Sequence, residues 1–269
     1  MRLLTTPFLT IHGNKTLLLM LSRRNLAARH KGSWLGRAWL IFQPLLLLTV
    51  YTFVFSQIYH GRFGVIESET GAQYALGIFF GLIILHFFND SLSGSVNCIV
   101  GNQNYVKRVV FPLEILPVSL TLENLYSFCI SMLLALMGVI LFVGKVSISI
   151  LWLPVLILPC LLFTMGVAWS VSAFGVFYRD IGPVVQIFSI CMLWMSGVFF
   201  SARDIPEAAW IFLRFNPILL NIDLCRDVVL WNLQPDFGWI TYTYSSSIII
   251  FFLGFWVFRS LKPAFADVM

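Results

Sequence analysis

The sequence predicts an all-α integral membrane protein, with six transmembrane helices, an N-terminal interfacial helix and two short re-entrant helices before the last span. Hydrophobic residues make up 59% of the 269 residues and charged residues only 11%, whereas a soluble domain carries about 25% charge. Mean hydropathy is +0.89. Apolar segments of about 20 residues, the length that crosses a bilayer core, recur along the chain. We therefore treat residues 1–269 as a single transmembrane domain.

The first element is a basic amphipathic segment, residues 1–33, which leads directly into a long apolar stretch. At about 100° per residue, Arg23, Arg24, His30 and Lys31 share one arc of a helix. One interpretation is a helix that lies in the membrane interface and touches a cytosolic partner. The other is an ordinary basic anchor that precedes the first span. This segment alone leaves both interpretations open.

Six apolar segments are long enough to be spans, and an even number places both termini on one side of the membrane. If that side is the cytosol, most of the 17 Lys and Arg residues become cytosolic. This distribution favours cytosolic termini, because Lys and Arg collect on the cytoplasmic side. The predicted spans are 38–59, 74–96, 118–143, 151–178, 184–201 and 237–258. The basic residues left outside are Arg62, Lys145, Arg203, Arg214 and Arg226.

Residues 202–236, between the fifth and sixth spans, do not fit this simple pattern. The segment is too apolar for a solvated loop, yet Pro206, Pro217 and Pro235 divide it into short pieces. Pieces of about 10 to 15 residues are too short to cross a bilayer, so we predict two short helices that dip into the extracytoplasmic leaflet. Irregular backbone at that depth is tolerated where it lines a cavity, which makes this segment a candidate rim of a pathway.

Sequence motifs for catalysis or metal binding are missing. The four histidines are dispersed, without HExxH, HxxxH or DxxD spacing, and the five cysteines form no CxxC pair. The only Gly-Lys that resembles part of a phosphate-binding loop is Gly144-Lys145, which Val146 follows. We therefore expect no catalytic residue, metal site or cofactor on this chain, and expect ATP and Mg to belong to a partner subunit. The sequence shows no basic, water-facing domain, so no nucleic-acid partner is expected.

Three carboxylates lie close to apolar segments, namely Asp90, Glu114 and Glu123. They would suit a proton relay, or they could be structural. The structural interpretation is favoured because the repeat symmetry typical of proton-coupled transporters is not visible. It places Asp90 and Glu114 near the cytosolic interface, and Glu123 deeper, either paired or facing the bundle interior. Gly77 and Gly81 are similarly interpreted as a close helix contact.

Several motifs, in order along the chain, resemble the permease subunit of type-2 ABC exporters, specifically the polysaccharide branch that exports O-antigen, capsule or teichoic acid. They cover the start of the first span, the loop after the second, the Arg-Asp after the fourth and the segment before the last. The motifs are KGSWLGRAWLIFQPLLLLTVYTFVF (31–55), NQNYVKRVVFPLEILPV (102–118), FYRDIG (177–182) and IPEAAWIFLRFNPI (205–218).

The resemblance implies a transmembrane subunit of an ATP-driven exporter that moves a lipid-linked polysaccharide across the bacterial inner membrane. It implies a homodimer on which two cytosolic ABC ATPase subunits dock, in contact with residues 97–117 as a cytosolic coupling loop. The alternatives are a drug or antibiotic efflux permease of the same architecture, or a membrane-embedded glycosyl- or acyltransferase. The residues assigned to coupling are Asn104, Tyr105, Lys107, Arg108, Arg23, Arg24 and Arg29.

Aromatic residues make up 16% of the chain, and sugars present apolar C–H faces that stack on aromatic rings. Most of these rings belong to the core, the lipid face or the interfacial belts. A subset near the outer half is assigned to the substrate pathway, together with two arginines that would attract a pyrophosphate or an acidic sugar. These residues are Tyr126, Trp194, Phe199, Phe200, Trp210, Phe215, Arg203 and Arg214.

Overall fold

The computed structural model describes residues 2–29, 32, 34–58, 61–66, 69–107, 111–144 and 148–268, and the regular structure within these ranges is helical. Most of the chain lies in α-helices, some of which are joined by short 3-10 turns. In chain order the α-helices are α1 (Arg2–Gly13), α2 (Lys15–Arg29), α3 (Trp39–Tyr51), α4 (Gly71–Val96), α5 (Gln103–Lys107), α6 (Ile115–Phe142), α7 (Leu153–Phe177), α8 (Ile181–Met195), α9 (Glu207–Leu213), α10 (Pro217–Leu230), α11 (Phe237–Leu261) and α12 (Phe265–Val268).

Side-chain caps explain where three of these helices begin. Thr70 and Gln73 form a reciprocal capping box at the start of α4. Asn216 accepts hydrogen bonds from the first amides of α10, whose first residue is Pro217, a position where the missing proline N–H costs nothing. Asp236 caps α11 by accepting from the amides of Gly238 and Trp239. Thr70, Asn216 and Asp236 thus set where α4, α10 and α11 begin, and the last two of these caps stand beside a proline.

Six helices run alternately between two ends of the bundle: α3, α4, α6, α7, α8 and α11. The terminal end is the end where α1, α2, α5 and α12 gather. There Leu18 and Leu21 of α2 belong to the same buried apolar cluster as Trp169 of α7 and Phe265 of α12. The opposite end is closed by residues 196–236, which include α9 and α10 and which we call the cap. The Tyr74 hydroxyl, near the start of α4, donates there to the Phe199 carbonyl at 3.2 Å.

Four of the six helices are long and apolar enough to cross a membrane: α4, α6, α7 and α11. They coincide with the predicted second, third, fourth and sixth spans. The predicted first span consists of α3, which ends at Tyr51, and of π-helical turns over Thr52–Ile58. Its apolar helical part, Trp39–Phe55, is shorter than the four long helices. The predicted fifth span, 184–201, ends early at Met195, because Gly197 takes a left-handed conformation with φ of 64°. The cap contains the two expected short helices, α9 and α10, bent by 105° at the break.

Helix α4 lies at the centre of the bundle, since 83% of its most apolar stretch is buried inside the chain. Helices α7 and α11 make the most intimate pair, and two glycines allow it. A Cβ on Gly166 would collide with the Ile250 carbonyl, and one on Gly254 would collide with the Gly166 carbonyl. Glycine is required here because the two backbones touch directly, as small residues permit between membrane helices.

Candidate functional site

Two of the predicted coupling residues meet at the terminal end. The Arg24 guanidinium on α2 donates to the Tyr105 hydroxyl on α5 at 2.9 Å. The Tyr105 ring stacks on Phe111, with centroids 4.5 Å apart and planes inclined by 18°. Tyr105 is therefore half-buried. The basic helix and the loop between α4 and α6 consequently form one connected surface.

A third predicted coupling residue, Arg29, contacts the bundle itself. Its guanidinium donates to Asn124 at 2.9 Å and to Asp90 at 3.2 Å, and it lies 3.9 Å from the Glu123 carboxylate. The Ser22 hydroxyl donates to the Ser119 carbonyl on α6 at 3.0 Å. These contacts hold α2 along α6. Arg29, the last residue of α2, makes the contacts at that end of the helix.

The remaining coupling residues that the structure describes lie at the same end of the bundle. Arg23, Asn104 and Lys107 are exposed at the terminal end. Arg108 lies outside the described residues. The predicted coupling loop contains a 3-10 turn over Val100–Asn102 followed by α5. These residues offer polar, water-accessible groups next to the Arg24–Tyr105 contact.

Asp90, Glu114 and Glu123 each have a basic partner, and for Glu123 this is one of the two arrangements that the structural interpretation allows. Glu123 is 9% exposed and faces Arg29. Both oxygens of Glu114 accept from the Lys262 ammonium at 2.9 Å. A buried carboxylate is stable when a cation and hydrogen bonds compensate its desolvation. The Lys262 contact ties the end of α11 to the start of α6 at the terminal end.

The cap is organised by Arg226 of α10, whose side chain is completely buried. It donates to the Gly77 carbonyl on α4 at 2.8 Å, and to the carbonyls of Gly197 and Val198 at 2.7 and 2.6 Å. The guanidinium also lies 4.5 Å above the centroid of the Phe63 ring. A buried cation needs such partners because isolated charges are costly in an apolar interior. Arg226 therefore fixes the cap to the central helix.

The close contact predicted at Gly77 and Gly81 is confirmed, and Arg226 explains why glycine is needed there. A Cβ on Gly81 would come within 2.6 Å of Arg226 Nη2, and one on Gly77 within 2.6 Å of the Phe63 ring. The two glycines thus leave the space that the guanidinium and its aromatic neighbour occupy. The spacing of the two glycines was the signal in the sequence. Arg226, which donates to the Gly77 carbonyl, lies 149 positions further along the chain, so local patterns do not reveal it.

The predicted pathway aromatics fall into two groups and one isolated residue. In the first group, the Phe199 ring lies 5.6 Å from Trp194 and 5.7 Å from Phe55. Trp194 is 64% exposed on the outside of α8. Phe200 follows Phe199 in the chain, and its backbone carbonyl accepts a hydrogen bond from Arg226 at 3.3 Å. Tyr126, 52% exposed, stands apart near the middle of α6.

The second group is a row of rings between α9 and α11. Trp210 meets Trp239 edge to face, with centroids 5.8 Å apart, and Trp239 meets Tyr242 at 6.3 Å. Phe215 completes the row, 6.4 Å from Tyr242, and its carbonyl accepts from the Tyr242 hydroxyl. Trp239 and Tyr242 were not among the predicted site residues, because they lie within the apolar pattern of the last span.

The two predicted arginines of the cap are already engaged. Arg203 forms an ion pair with Asp227 at 3.2 Å. The Arg214 guanidinium lies 4.8 Å over the Phe215 ring, a cation–π contact. Within the described residues, no group of three or more His, Cys, Asp or Glu side chains could hold a metal ion.

Comparisons with known proteins identify relatives along nearly the whole chain. Residues 16–230 match the family described as ABC-2 type transporter. An O-antigen export system permease protein RfbA of Klebsiella pneumoniae is 27% identical over 258 residues, covering 94% of this chain and 95% of the relative. One from Myxococcus xanthus is 24% identical, covering 93% and 94%. The polysialic acid transport protein KpsM of Escherichia coli is 23% identical, covering 86% and 87%.

Proposed function

The chain belongs to the ABC-2 type transporter family, and from this premise we propose that it is the membrane-spanning subunit of an ATP-driven exporter of lipid-linked polysaccharide. The observation that carries the proposal is the extent of the likeness to O-antigen export permeases, which covers 93–94% of the chain. A match over this length leaves little of the chain for a different activity. The substrate would cross the bacterial inner membrane, and ATP with Mg would bind to separate ATPase subunits.

All six helices of the bundle would cross the bilayer, with the terminal end in the cytosol and the cap outside. The positive-inside distribution supports this orientation. The two shorter apolar helices, Trp39–Phe55 and Ile181–Met195, have 17 and 15 residues, so they would need local thinning of the bilayer or neighbouring protein at their ends. Helices α9 and α10 would be re-entrant, entering the outer leaflet and returning.

Two copies of the chain would enclose the pathway across a two-fold axis. Exposed apolar side chains on α3 and α8 support this arrangement. Phe53, in the π-helical turns after α3, is 62% exposed, and Ile187 and Trp194 on α8 are 63% and 64% exposed. The aromatics assigned to the pathway would line it without forming a charged filter.

The ATPase subunits would dock on the surface formed by α2 and α5. The Arg24–Tyr105 hydrogen bond joins these two elements, and the Arg29 contacts join α2 to α4 and α6. A movement that a nucleotide-driven partner imposes on α5 would therefore reach the bundle through the Arg24–Tyr105 hydrogen bond and the Arg29 contacts. Exposed Arg23, Asn104 and Lys107 supply further groups for this interface.

The proposal is tested by deleting the chain from a bacterium that produces it and measuring surface polysaccharide. We expect surface polymer to disappear and lipid-linked polymer to accumulate on the cytosolic side. Restoring the wild-type chain should restore display, and restoring it beside an ATPase unable to hydrolyse ATP should not. Unchanged surface polymer after deletion would refute the proposed function.

A further inference from the structure

A cavity of about 310 Å³ lies in the cap, between the loop before α9 and the helices α9, α10 and α11. Its volume falls at the lower end of the ~300–1,000 Å³ typical of small-ligand sites. It is separate from the first aromatic group around Phe199. The side chains that give it chemical character are Arg203, Trp210, Asp223, Asp227, Asp236 and Trp239.

The apolar part of this cavity is an indole corner. The planes of Trp210 and Trp239 are inclined by 83°, with centroids 5.8 Å apart. The edge of one indole thus packs against the face of the other, and both side chains line the cavity. The electron-rich face of an aromatic ring attracts polarised C–H groups, and the ring of a sugar carries several of these on one side. Two indoles in the lining therefore offer stacking surface of the kind that a sugar ring requires.

The polar part consists mainly of hydrogen-bond acceptors. Within the described residues, Asp223 accepts one long hydrogen bond, 3.4 Å, from the Ala202 amide. Asp236 uses one oxygen, Oδ1, to cap α11. An ionised carboxylate has about four lone-pair positions on two oxygens, so both side chains retain acceptor capacity toward the cavity. Sugar hydroxyls are the donors that such acceptors require.

The charges in the lining select against an acidic ligand. Three carboxylates line the cavity beside one guanidinium, that of Arg203, which Asp227 holds through contacts of 3.2 and 3.4 Å. The buried Arg226 guanidinium offsets part of the charge of Asp223 and Asp227, which leaves the carboxylates in excess by one. A uronic or sialic acid unit would therefore meet net negative charge, and like charges in a partly desolvated site repel strongly. The same net charge would favour a cation, so the test below includes a lipophilic cation as a competing ligand. An uncharged sugar does not meet the repulsion that an acidic sugar meets.

We propose that this cavity is a binding site for neutral sugar units of the exported polymer, with Trp210 and Trp239 as the stacking platform and Asp223 and Asp236 as hydroxyl acceptors. The assignment rests on the proposed export function, and it narrows the substrate to polymers with neutral sugars. It also changes the role predicted for Arg203, which here positions Asp227 and does not capture an anion.

The test uses the full-length chain in lipid nanodiscs and isothermal titration calorimetry. The probes are neutral tetrasaccharides of glucose, mannose and galactose, an acidic tetrasaccharide of galacturonic acid, and tetraphenylphosphonium as a lipophilic cation. We expect at least one neutral tetrasaccharide to bind about tenfold more tightly than the galacturonic acid probe. Binding of none of the neutral probes, or preferential binding of tetraphenylphosphonium, would overturn the assignment.

Two variants with a matched control locate the binding. Trp239→Ala should weaken neutral-probe binding about tenfold, because stacking on one aromatic ring is lost. Trp256→Ala, a 57% exposed tryptophan elsewhere on α11, should leave it unchanged. Asp227→Asn nearly preserves shape and releases Arg203, so it should strengthen binding of the galacturonic acid probe several-fold. Equal binding by all three variants and the wild type would remove the site from this cavity.

The same variants separate this inference from the export function. If deletion of the chain abolishes surface polymer but Trp239→Ala and Asp227→Asn leave both binding and display unchanged, the sugar site is refuted and export stands. If surface polymer survives deletion, the export function itself fails. Membrane abundance of each variant is measured in parallel, so that a loss of protein is not mistaken for a loss of binding.

Discussion

Replacing Arg226 is the perturbation whose effect on the fold can be worked out most directly. The side chain is fully buried and makes three hydrogen bonds of 2.6 to 2.8 Å to backbone carbonyls. Arg226→Met keeps a long apolar side chain but removes every donor. The carbonyls of Gly77, Gly197 and Val198 would then lose these donors inside the protein, where no water replaces them.

The magnitude follows from these contacts. A hydrogen bond from a charged donor contributes about 1.5–3 kcal/mol net, so three would give an upper limit of about 4.5–9 kcal/mol. The desolvation of the guanidinium opposes this, and losses on removing one member of a buried charged network are about 3–5 kcal/mol. We therefore expect Arg226→Met to lower the free energy of unfolding by about 4 kcal/mol. Arg226→Lys should lose about half as much, because a single ammonium cannot reach both α4 and the 197–200 loop.

The assay is reversible unfolding of the purified chain in mixed micelles, with increasing mole fraction of SDS and far-ultraviolet circular dichroism as the signal. Arg214→Met serves as the control, because Arg214 is exposed in the same cap and should change stability by less than about 0.5 kcal/mol. A loss below about 1 kcal/mol for Arg226→Met would show that the buried contacts do not hold the cap, and would refute the reasoning.

Three further predictions concern other parts of the molecule. Gly254→Ala should sharply reduce the monodisperse fraction in size-exclusion chromatography, because the new Cβ meets a backbone carbonyl of α7. Gly101→Ala is the control, since a Cβ there has nothing within 4 Å, and it should leave the profile unchanged. Equal profiles for the two variants would contradict this prediction. Arg29→Ala should lower the free energy of unfolding by only about 1 kcal/mol, since the side chain is 36% exposed. It should nevertheless speed limited proteolysis of α2. Unchanged cleavage would show that Arg29 does not hold α2 on the bundle. Trp210→Ala and Phe215→Ala should each lower surface polymer at native membrane abundance, and normal display would leave these rings as structural parts of the cap.

The sequence was sufficient for the parts of the fold that depend on local pattern. The four long spans follow from runs of apolar residues, and the division of the cap into two short helices follows from its prolines. Local pattern did not show that the helix of the fifth span ends at Met195, because the cause is the left-handed Gly197 in an otherwise apolar run. It also did not show that the first span continues as π-helical turns.

The candidate site was predicted in part, for a physical reason. The basic helix and the coupling loop were expected side by side, and the Arg24–Tyr105 contact joins them. Arg226, by contrast, was counted only as an extracytoplasmic charge, because its partners on α4 are remote in sequence. Trp239 was hidden within an apolar span, where one aromatic resembles any other. Side chains whose role depends on tertiary neighbours are invisible to composition and periodicity.

The most direct test of the central claim is transport in reconstituted vesicles. The chain and its partner ATPase would be incorporated together, with lipid-linked polysaccharide supplied at the face that carries the ATPase. We expect ATP-dependent appearance of polymer at the opposite face, with neither transfer nor ATP hydrolysis when the chain is present alone. Transfer without the ATPase, or ATP hydrolysis without transfer when both subunits and the polymer are present, would contradict the account.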